Sequence, residues 1–488
     1  MNRGIVYFVG AGPGDKELLT LKGLRALREA DVVVYDRLVN PVLLTETKES
    51  AKLIYCGKQP CKHTLRQEDI QKELLIHARK GKKVVRLKGG DPAVFGRVGE
   101  EAELLADNHV PYEIIPGITA GIAATMYAGV PITHREHSGS FAVVTGHTKT
   151  SDGKPDVEWK SLAESVSTIV FYMGVKHIRT IATELITHGK KADTPVMVSQ
   201  WGTYSRQQTI SGTLATIANL VEGQIQNPAI IVVGEVVKLR KKLKWFDNRL
   251  LHGKGILMPT STIEEQEAAQ QLRKLGADVY EHPKLTEYST CLDNEVFEDM
   301  EHYEEIVFYS PKAVQAFLNE VGEREIDLRT LKACFYAKDD ETKKALRNAG
   351  HLVKEWVGTH EWKRALVIGS EIEQDQPTPL QATKWVIAEQ RVTNGEATAL
   401  SRLLEEGHVN TLMITSENEA QKLVAFFKLT GQSSAEWSDK LRVICKGTAA
   451  SKRLAEIAFI PDHVLDEEST PEEIALALAD NVVLAKGS

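Results

Sequence analysis

Three places in this 488-residue chain set reactive or ligand-binding residue types where strand-type runs stop. The run 5–9 opens into Gly10-Ala-Gly12-Pro13-Gly14-Asp15, and an amphipathic pattern follows at Leu18, Leu19, Leu21, Leu24 and Leu27. Glycine lets a backbone approach a ligand closely, and Pro13 stiffens the loop without offering an N–H. The spacing is not the dinucleotide fingerprint, because Asp15 stands where the third glycine belongs. No Gly-Lys-Ser/Thr follows to make a phosphate loop. The loop therefore suggests a nucleoside-type cofactor without a pyrophosphate; an ordinary tight turn is the competing reading. Asp36-Arg37 ends the next run, and Gly89-Gly90-Asp91 ends the run 83–88. A carboxylate after two glycines offers an acceptor to an ammonium or a ribose hydroxyl.

The elements that must position these residues alternate along the first half. Strand-type runs fall at 5–9, 31–36, 52–56, 83–88, 112–115, 140–145, 168–173, 195–199 and 229–237. Helical patterns fall at 17–30, 66–80, 97–107, 118–128, 176–188 and 213–222. This is an α/β pattern with parallel or mixed sheets, and Pro116-Gly117 marks a hinge between two lobes. Ligands of such folds collect at the carboxyl ends of strands. Further polar and glycine clusters end strands at Gly57-Lys58, Gly146-His147, Met173-Gly174 and Trp201-Gly202-Thr203.

Composition bounds the rest. The length exceeds one core and implies several domains. At 42% hydrophobic and 26% charged the chain reads as globular and water-borne. No apolar run approaches the ~18 residues a bilayer span needs, and no leader is read before the first strand, so a cytoplasmic setting is expected. Five cysteines (Cys56, Cys61, Cys291, Cys334, Cys445) include no Cys-x-x-Cys pair, so reduced thiols and no metal site are expected. Residues 1–248 hold 33 Lys and Arg against 26 Asp and Glu, leaving 27 against 41 for residues 249–488. The basic half suits an anionic substrate. Dispersed charges without a basic block argue against nucleic acid. The basic stretch 238–248 separates the halves.

Residues 3–245 resemble the tetrapyrrole methylases, and among them the uroporphyrinogen-III C-methyltransferases. The matching segments are Val9–Asp15, Ala30–Leu38, Arg86–Pro92, Phe95-Gly-Arg97, Pro116–Ala120, Thr133-His-Arg135, Thr145-Gly-His147, Tyr172-Met173-Gly174 and Gly212-Thr213-Leu214. The resemblance implies a two-lobed fold, lobes about 1–116 and 117–245, a homodimer, and methyl transfer from S-adenosyl-L-methionine with S-adenosyl-L-homocysteine released. It implies cofactor contacts at Pro13, Gly89, Gly90, Asp91, Val94, Thr119, Ala120, Met173 and Gly202. Met173 on its own reads more often as core than as a cofactor contact. The resemblance makes Asp36 a proton acceptor and Lys58 a proton donor; without it Asp36 reads as a cap and Lys58 as a solvated charge. Cys56 and Gln59 depart from the family pattern around Lys58. Arg37, Arg97, His134 and Arg135 are candidate partners for the substrate's carboxylates.

Residues 254–488 resemble uroporphyrinogen-III synthases. Two internal echoes carry this: 305–317 against Thr411–Ala420, and 337–350 against 445–458. A two-lobed α/β plan follows, one lobe about 254–286 plus 394–488 and the other about 289–389. Ser310, Thr415, Ser416 and Thr448 offer hydroxyls and free helix N–H groups to substrate carboxylates. The pattern departs at Pro259-Thr260, Ile368–Glu371 and Gln390–Thr393, where Thr-Arg, a basic turn and a tyrosine are expected. The fused chain then methylates uroporphyrinogen III twice to precorrin-2, and its second half closes hydroxymethylbilane, in sirohaem or cobalamin synthesis. The alternatives are a second half that binds tetrapyrrole without turning it over, and methylation of a later corrin intermediate. Partners are small tetrapyrroles, with neither nucleic acid nor membrane.

Overall fold

The computed structural model describes residues 4–57, 66–146, 155–260, 262–289, 296, 300–355, 364–369 and 382–479. Five strands, β1 (Ile5–Gly10), β2 (Val32–Tyr35), β3 (Lys52–Tyr55), β4 (Lys83–Lys88) and β5 (Tyr112–Ile115), form a parallel sheet in the order β3-β2-β4-β1-β5. Both faces are covered. Val6, Phe8, Val32, Val34, Leu74 and Leu105 pack on one side, and Val9, Val33, Tyr35, Leu43, Leu87 and Ile115 on the other. Continuous apolar runs such as Val32-Val-Val-Tyr35 are what a sheet buried on both faces requires.

A second sheet holds β6 (Phe141–Thr145), β7 (Thr168–Tyr172), β8 (Pro195–Gln200), β9 (Gln208–Thr213) and β10 (Ala229–Val233), in the order β6-β7-β10-β8-β9. Only β6 and β7 run parallel; the other pairings are antiparallel. The run expected to span 229–237 ends as a strand at Val233, and Glu235–Leu239 turns into a 3-10 helix after Gly234.

The second half adds β11 (Gly255–Leu257), β12 (Asp278–Tyr280), β13 (Thr286–Ser289), β14 (Glu305–Phe308), β15 (Cys334–Ala337), β16 (Val353–Glu355), β17 (Ala365–Gly369), β18 (Thr383–Val386), β19 (Ala388–Arg391), β20 (Thr411–Ile414), β21 (Arg442–Lys446) and β22 (His463–Leu465). They form two parallel sheets, β12-β11-β20-β21-β22 and β16-β15-β14-β17-β18, and an antiparallel ladder of β13 with β19.

The described chain divides into two compact units, Met1–Pro283 with Asn394–Val424 and Ser433–Ser488, and Lys284–Thr393 with Ala425–Gln432. The first unit runs through the basic stretch 238–248 instead of ending there. The bonds that join it are specific: Ser205 N–H donates to Asp278 Oδ2 at 2.8 Å, and Ser205 Oγ to the Lys254 carbonyl at 2.8 Å. Among the described residues no helix is long and apolar enough to cross a membrane.

Candidate functional site

Within the first unit, the carboxyl ends of β1, β2 and β4 open onto a cavity of about 800 Å³. Its lining includes Pro13, Gly89, Gly90, Asp91, Val94, Thr119, Ala120, Met173 and Gly202, together with Asp36, Arg37 and Arg97. Three backbone segments meet at its floor. Gly90 N–H donates to the Gly12 carbonyl at 2.7 Å, and the Gly90 carbonyl accepts from Gly12 N–H at 3.2 Å. A Cβ on Gly10 would come within 2.5 Å of Gly117 N, so only glycine allows this approach. Gly90 has φ +68°, and a Cβ there would meet nothing closer than Ala120 N at 3.6 Å. The turn is an open cradle facing Thr119 and Ala120.

Asp91 is more constrained than the sequence implies. Its Oδ1 accepts from Ala93 N–H at 2.7 Å and its Oδ2 from Gly117 N–H at 3.0 Å. The carboxylate therefore ties the Gly-Gly turn to the Pro116-Gly117 hinge, and any ligand must use the remaining lone pairs. Thr119 Oγ1 lies 2.5 Å from the Tyr172 hydroxyl, which also takes Gly121 N–H. Burial pushes the Tyr172 phenol above its usual pKa.

Five non-glycine residues around the cavity sit in the left-handed region: Phe95, Arg97, Met173, Trp201 and Thr203, with φ between +50° and +74°. Such strain persists only where surrounding structure holds it, and it clusters at ligand sites. Met173 is 45% exposed, which rules out the core reading of it. Thr203 Oγ1 accepts Asp15 N–H at 3.0 Å, linking this rim to the first glycine loop.

Asp36 is held by a group absent from the sequence expectations. Arg86 Nη2 donates to Asp36 Oδ1 at 2.7 Å, and Arg86 is buried in the central strand β4. Buried Glu101 lies 3.5 Å from Arg86 Nε, and Lys88 Nζ reaches Glu101 Oε1 at 3.0 Å. Burial opposes the Arg86 charge, yet Asp36 and Glu101 overcome it and hold its pKa above the usual value. Burial, and then the Arg86 charge, lower that of Lys88. Two cations and two carboxylates thus compensate one another beneath the cavity. The signal was present: Lys83-Val-Val-Arg86-Leu-Lys88 puts charges into a run that is otherwise a central buried strand.

The remaining candidates separate. Lys58 and His147 lie outside the described residues. Arg97 lines the cavity with its guanidinium bonded to Glu100 at 3.1 Å and Gln67 at 3.3 Å. His134 and Arg135 do not line the cavity. His134, Glu136 and His137 place three potential metal-ligand atoms within 4.8 Å of one another. His134 Nδ1, however, accepts Glu136 N–H at 3.2 Å, so the neutral ring carries its proton on Nε2.

In the second half Ser310 caps the helix Pro311–Glu323. Thr415 N–H and Oγ1 both donate to Glu419, the hydroxyl at 2.9 Å, and Ser416 Oγ donates to Glu265 at 2.8 Å. These hydroxyls are engaged by carboxylates of the chain itself. Burial raises the Glu419 carboxyl to about 8. Thr448 is exposed in the first turn of the helix Thr448–Ala455.

Comparison with known proteins finds one family in each half of the sequence. The family described as Tetrapyrrole (Corrin/Porphyrin) Methylases matches residues 5–218, and Uroporphyrinogen-III synthase HemD matches residues 266–475. A uroporphyrinogen-III C-methyltransferase of Bacillus subtilis (strain 168) is 40% identical over 449 residues, 92% of each chain. One of Priestia megaterium is 56% identical over 236 residues, 48% of this chain and 98% of its own. A siroheme synthase of Stutzerimonas stutzeri is 48% identical over 252 residues, 51% of this chain and 54% of its own. With the first of these relatives matched along nearly all of both chains, the protein belongs to the uroporphyrinogen-III C-methyltransferase family, as an enzyme in which a tetrapyrrole methylase is fused to a uroporphyrinogen-III synthase segment.

Proposed function

We propose that the first half transfers two methyl groups from S-adenosyl-L-methionine to carbons of uroporphyrinogen III, giving precorrin-2 and S-adenosyl-L-homocysteine. The observation that carries this is the cavity: every residue expected to touch the cofactor lines it, and Asp36 lines it too. Gly90 and Ala120 offer a cradle open to a ligand, Val94 and Met173 apolar surface for adenine, and Asp91 acceptor capacity for an ammonium or ribose hydroxyl. The cofactor supplies the methyl group. Asp36, oriented by Arg86, stabilises the positive charge that a reduced pyrrole carries after gaining a methyl group and accepts the proton whose loss restores the neutral ring. Arg37 and Arg97 pair with substrate carboxylates, and Lys58 serves as proton donor. The net positive first half draws in a substrate with eight carboxylates.

The second half closes hydroxymethylbilane to uroporphyrinogen III with loss of water, which supplies the first half. Ser310 and Thr448 are its candidate anion contacts. The engagement of Thr415 and Ser416 by Glu419 and Glu265 favours a second reading, in which this half binds tetrapyrrole without turning it over. The product leads to sirohaem or cobalamin. The enzyme works in the cytoplasm without metal, nucleic acid or membrane.

A homodimer is proposed through the first half. Ile122 and Met126 lie on one face of the helix Ala120–Tyr127; with Ile118, which precedes that helix, they are 37–55% exposed, and Ile114 and Tyr112 are exposed on the edge strand β5. The test of the central reading is mass analysis of uroporphyrinogen III incubated with methyl-labelled S-adenosyl-L-methionine. Two labelled methyl groups per tetrapyrrole are expected; an unlabelled tetrapyrrole refutes it.

A further inference from the structure

The helix Asn394–Glu405 comes from the second half of the sequence, yet it packs along Pro41–Glu46, the turn that follows the Asp36 loop. The packing is close enough that a Cβ on Gly395 would collide with the Leu44 carbonyl oxygen. Arg402, two turns further on, is buried at 4% exposure. Its Nη2 donates to the Arg37 carbonyl at 2.8 Å and reaches the Val39 carbonyl at 3.4 Å. Its guanidinium carbon lies 5.5 Å from the Tyr35 ring centre and 5.3 Å from that of Tyr55. Those tyrosines end β2 and β3, the strands whose next residues are Asp36 and Cys56-Gly57. Gly57 lines the cavity with the Tyr55 hydroxyl against it.

The same corner also braces the opposite rim. Arg402 Nε donates to Glu406 Oε1 at 2.8 Å. Arg206 donates to the Glu406 carbonyl at 2.6 Å, and its guanidinium lies 3.8 Å from the centre of the Trp201 ring. Trp201 lines the cavity with φ +50°. Asn40, in the loop that Arg402 holds, donates to the Gly14 carbonyl at 2.8 Å, which ties that loop to the glycine-rich one. A buried guanidinium bonded to two carbonyls fixes a backbone more firmly than a surface contact, because removing it strands buried acceptors.

We infer that Arg402, supplied by the second half, is a positioning residue for methyl transfer in the first half: it sets the backbone of the Asp36-Arg37 loop against the cavity. The inference rests on the proposed methyl-transfer reading and adds to it that a loop bordering this cavity is held by the synthase-type half. It acts on the loop, so its loss lowers turnover and leaves cofactor affinity alone.

The test uses the full chain with Arg402→Ala and Arg402→Lys. Hydrogen–deuterium exchange of peptides covering 36–45 reads the loop without any need for turnover. The expectation is at least ten-fold faster exchange there in R402A, with peptides covering 195–200 unchanged. The kcat for methylation of uroporphyrinogen III should fall at least ten-fold, with affinity for S-adenosyl-L-homocysteine within two-fold and partial recovery of kcat in R402K. If R402A does not fold, R402K and Glu406→Gln carry the same measurements, with smaller changes in the same direction. Unchanged exchange overturns the inference. So does faster exchange with unchanged kcat, or a fall in cofactor affinity that parallels the fall in kcat. A wild-type chain that binds S-adenosyl-L-homocysteine but methylates no tetrapyrrole counts against the proposed function. In that event exchange at 36–45 still decides whether Arg402 holds the loop.

Discussion

Asp36 keeps its orientation through Arg86, so Asp36→Asn changes the site's charge and little of its shape. Turnover should fall about 10²–10⁴-fold, the range for one acid–base or charge-stabilising group. Affinity for S-adenosyl-L-homocysteine, measured by calorimetry, should stay within a few-fold; lost cofactor binding would place Asp36 in the scaffold. Asp91→Ala tests the opposite balance. It takes the acceptor from the partly buried Gly117 N–H and leaves the exposed Ala93 N–H to water, and should cost about 1–3 kcal/mol in stability by denaturant titration. Cofactor affinity should weaken with it; a stability loss at constant affinity would limit Asp91 to holding the hinge. Residue types at strand ends were readable from sequence because glycine and carboxylates are rare inside strands. The charges of Arg86 and Lys88 stood out in their strand, but their pairing with Asp36 and Glu101 was not readable, since it joins β2, β4 and the helix Val98–Asp107 across long separations.

Most elements of the first half were legible because a sheet buried on both faces needs unbroken apolar runs. Two escaped. β9 is a partly exposed edge strand of Gln, Thr, Ser and Gly with weak alternation, and its end was absorbed into a helix expected at 213–222, which forms only at Ile217–Val221. The short helix Trp159–Ser165 buries Ala163 alone, too little to give a period. In the second half, the N-terminal turn of the helix Glu417–Thr430 makes a pH prediction. Glu419, raised to about 8 by burial, keeps a proton in the folded state that an unfolded glutamate releases near 4.5. Its contribution to stability is therefore present in full below about pH 4.5 and is lost as pH rises through about 8. The slope reaches at most about 1.4 kcal/mol per pH unit. Urea unfolding from pH 5 to pH 9 should show Glu419→Gln flattening this decline; an identical profile would mean that Glu419 is ionised throughout.

For the molecule as a whole, the sign change in net charge and the basic stretch 238–248 made the fusion visible in sequence. The bonds that make the first half and the lobe containing β11 one unit were not visible. They involve Ser205, Arg206 and Arg402, residues with no motif, and they depend on contacts up to 365 positions apart. Association belongs to this scale too: Ile122→Glu with Met126→Glu should shift a dimer to monomer by light scattering, and unchanged mass would exclude that helix face. The most direct measurement of the whole account starts from hydroxymethylbilane. The full chain is incubated with it, with and without methyl-labelled S-adenosyl-L-methionine, and the tetrapyrrole is identified by mass and isomer. The account predicts the type III ring alone without the cofactor, and the type III ring with two labelled methyl groups when it is present. Only the type I ring, the product of closure without enzyme control, together with no label on supplied uroporphyrinogen III, would contradict it.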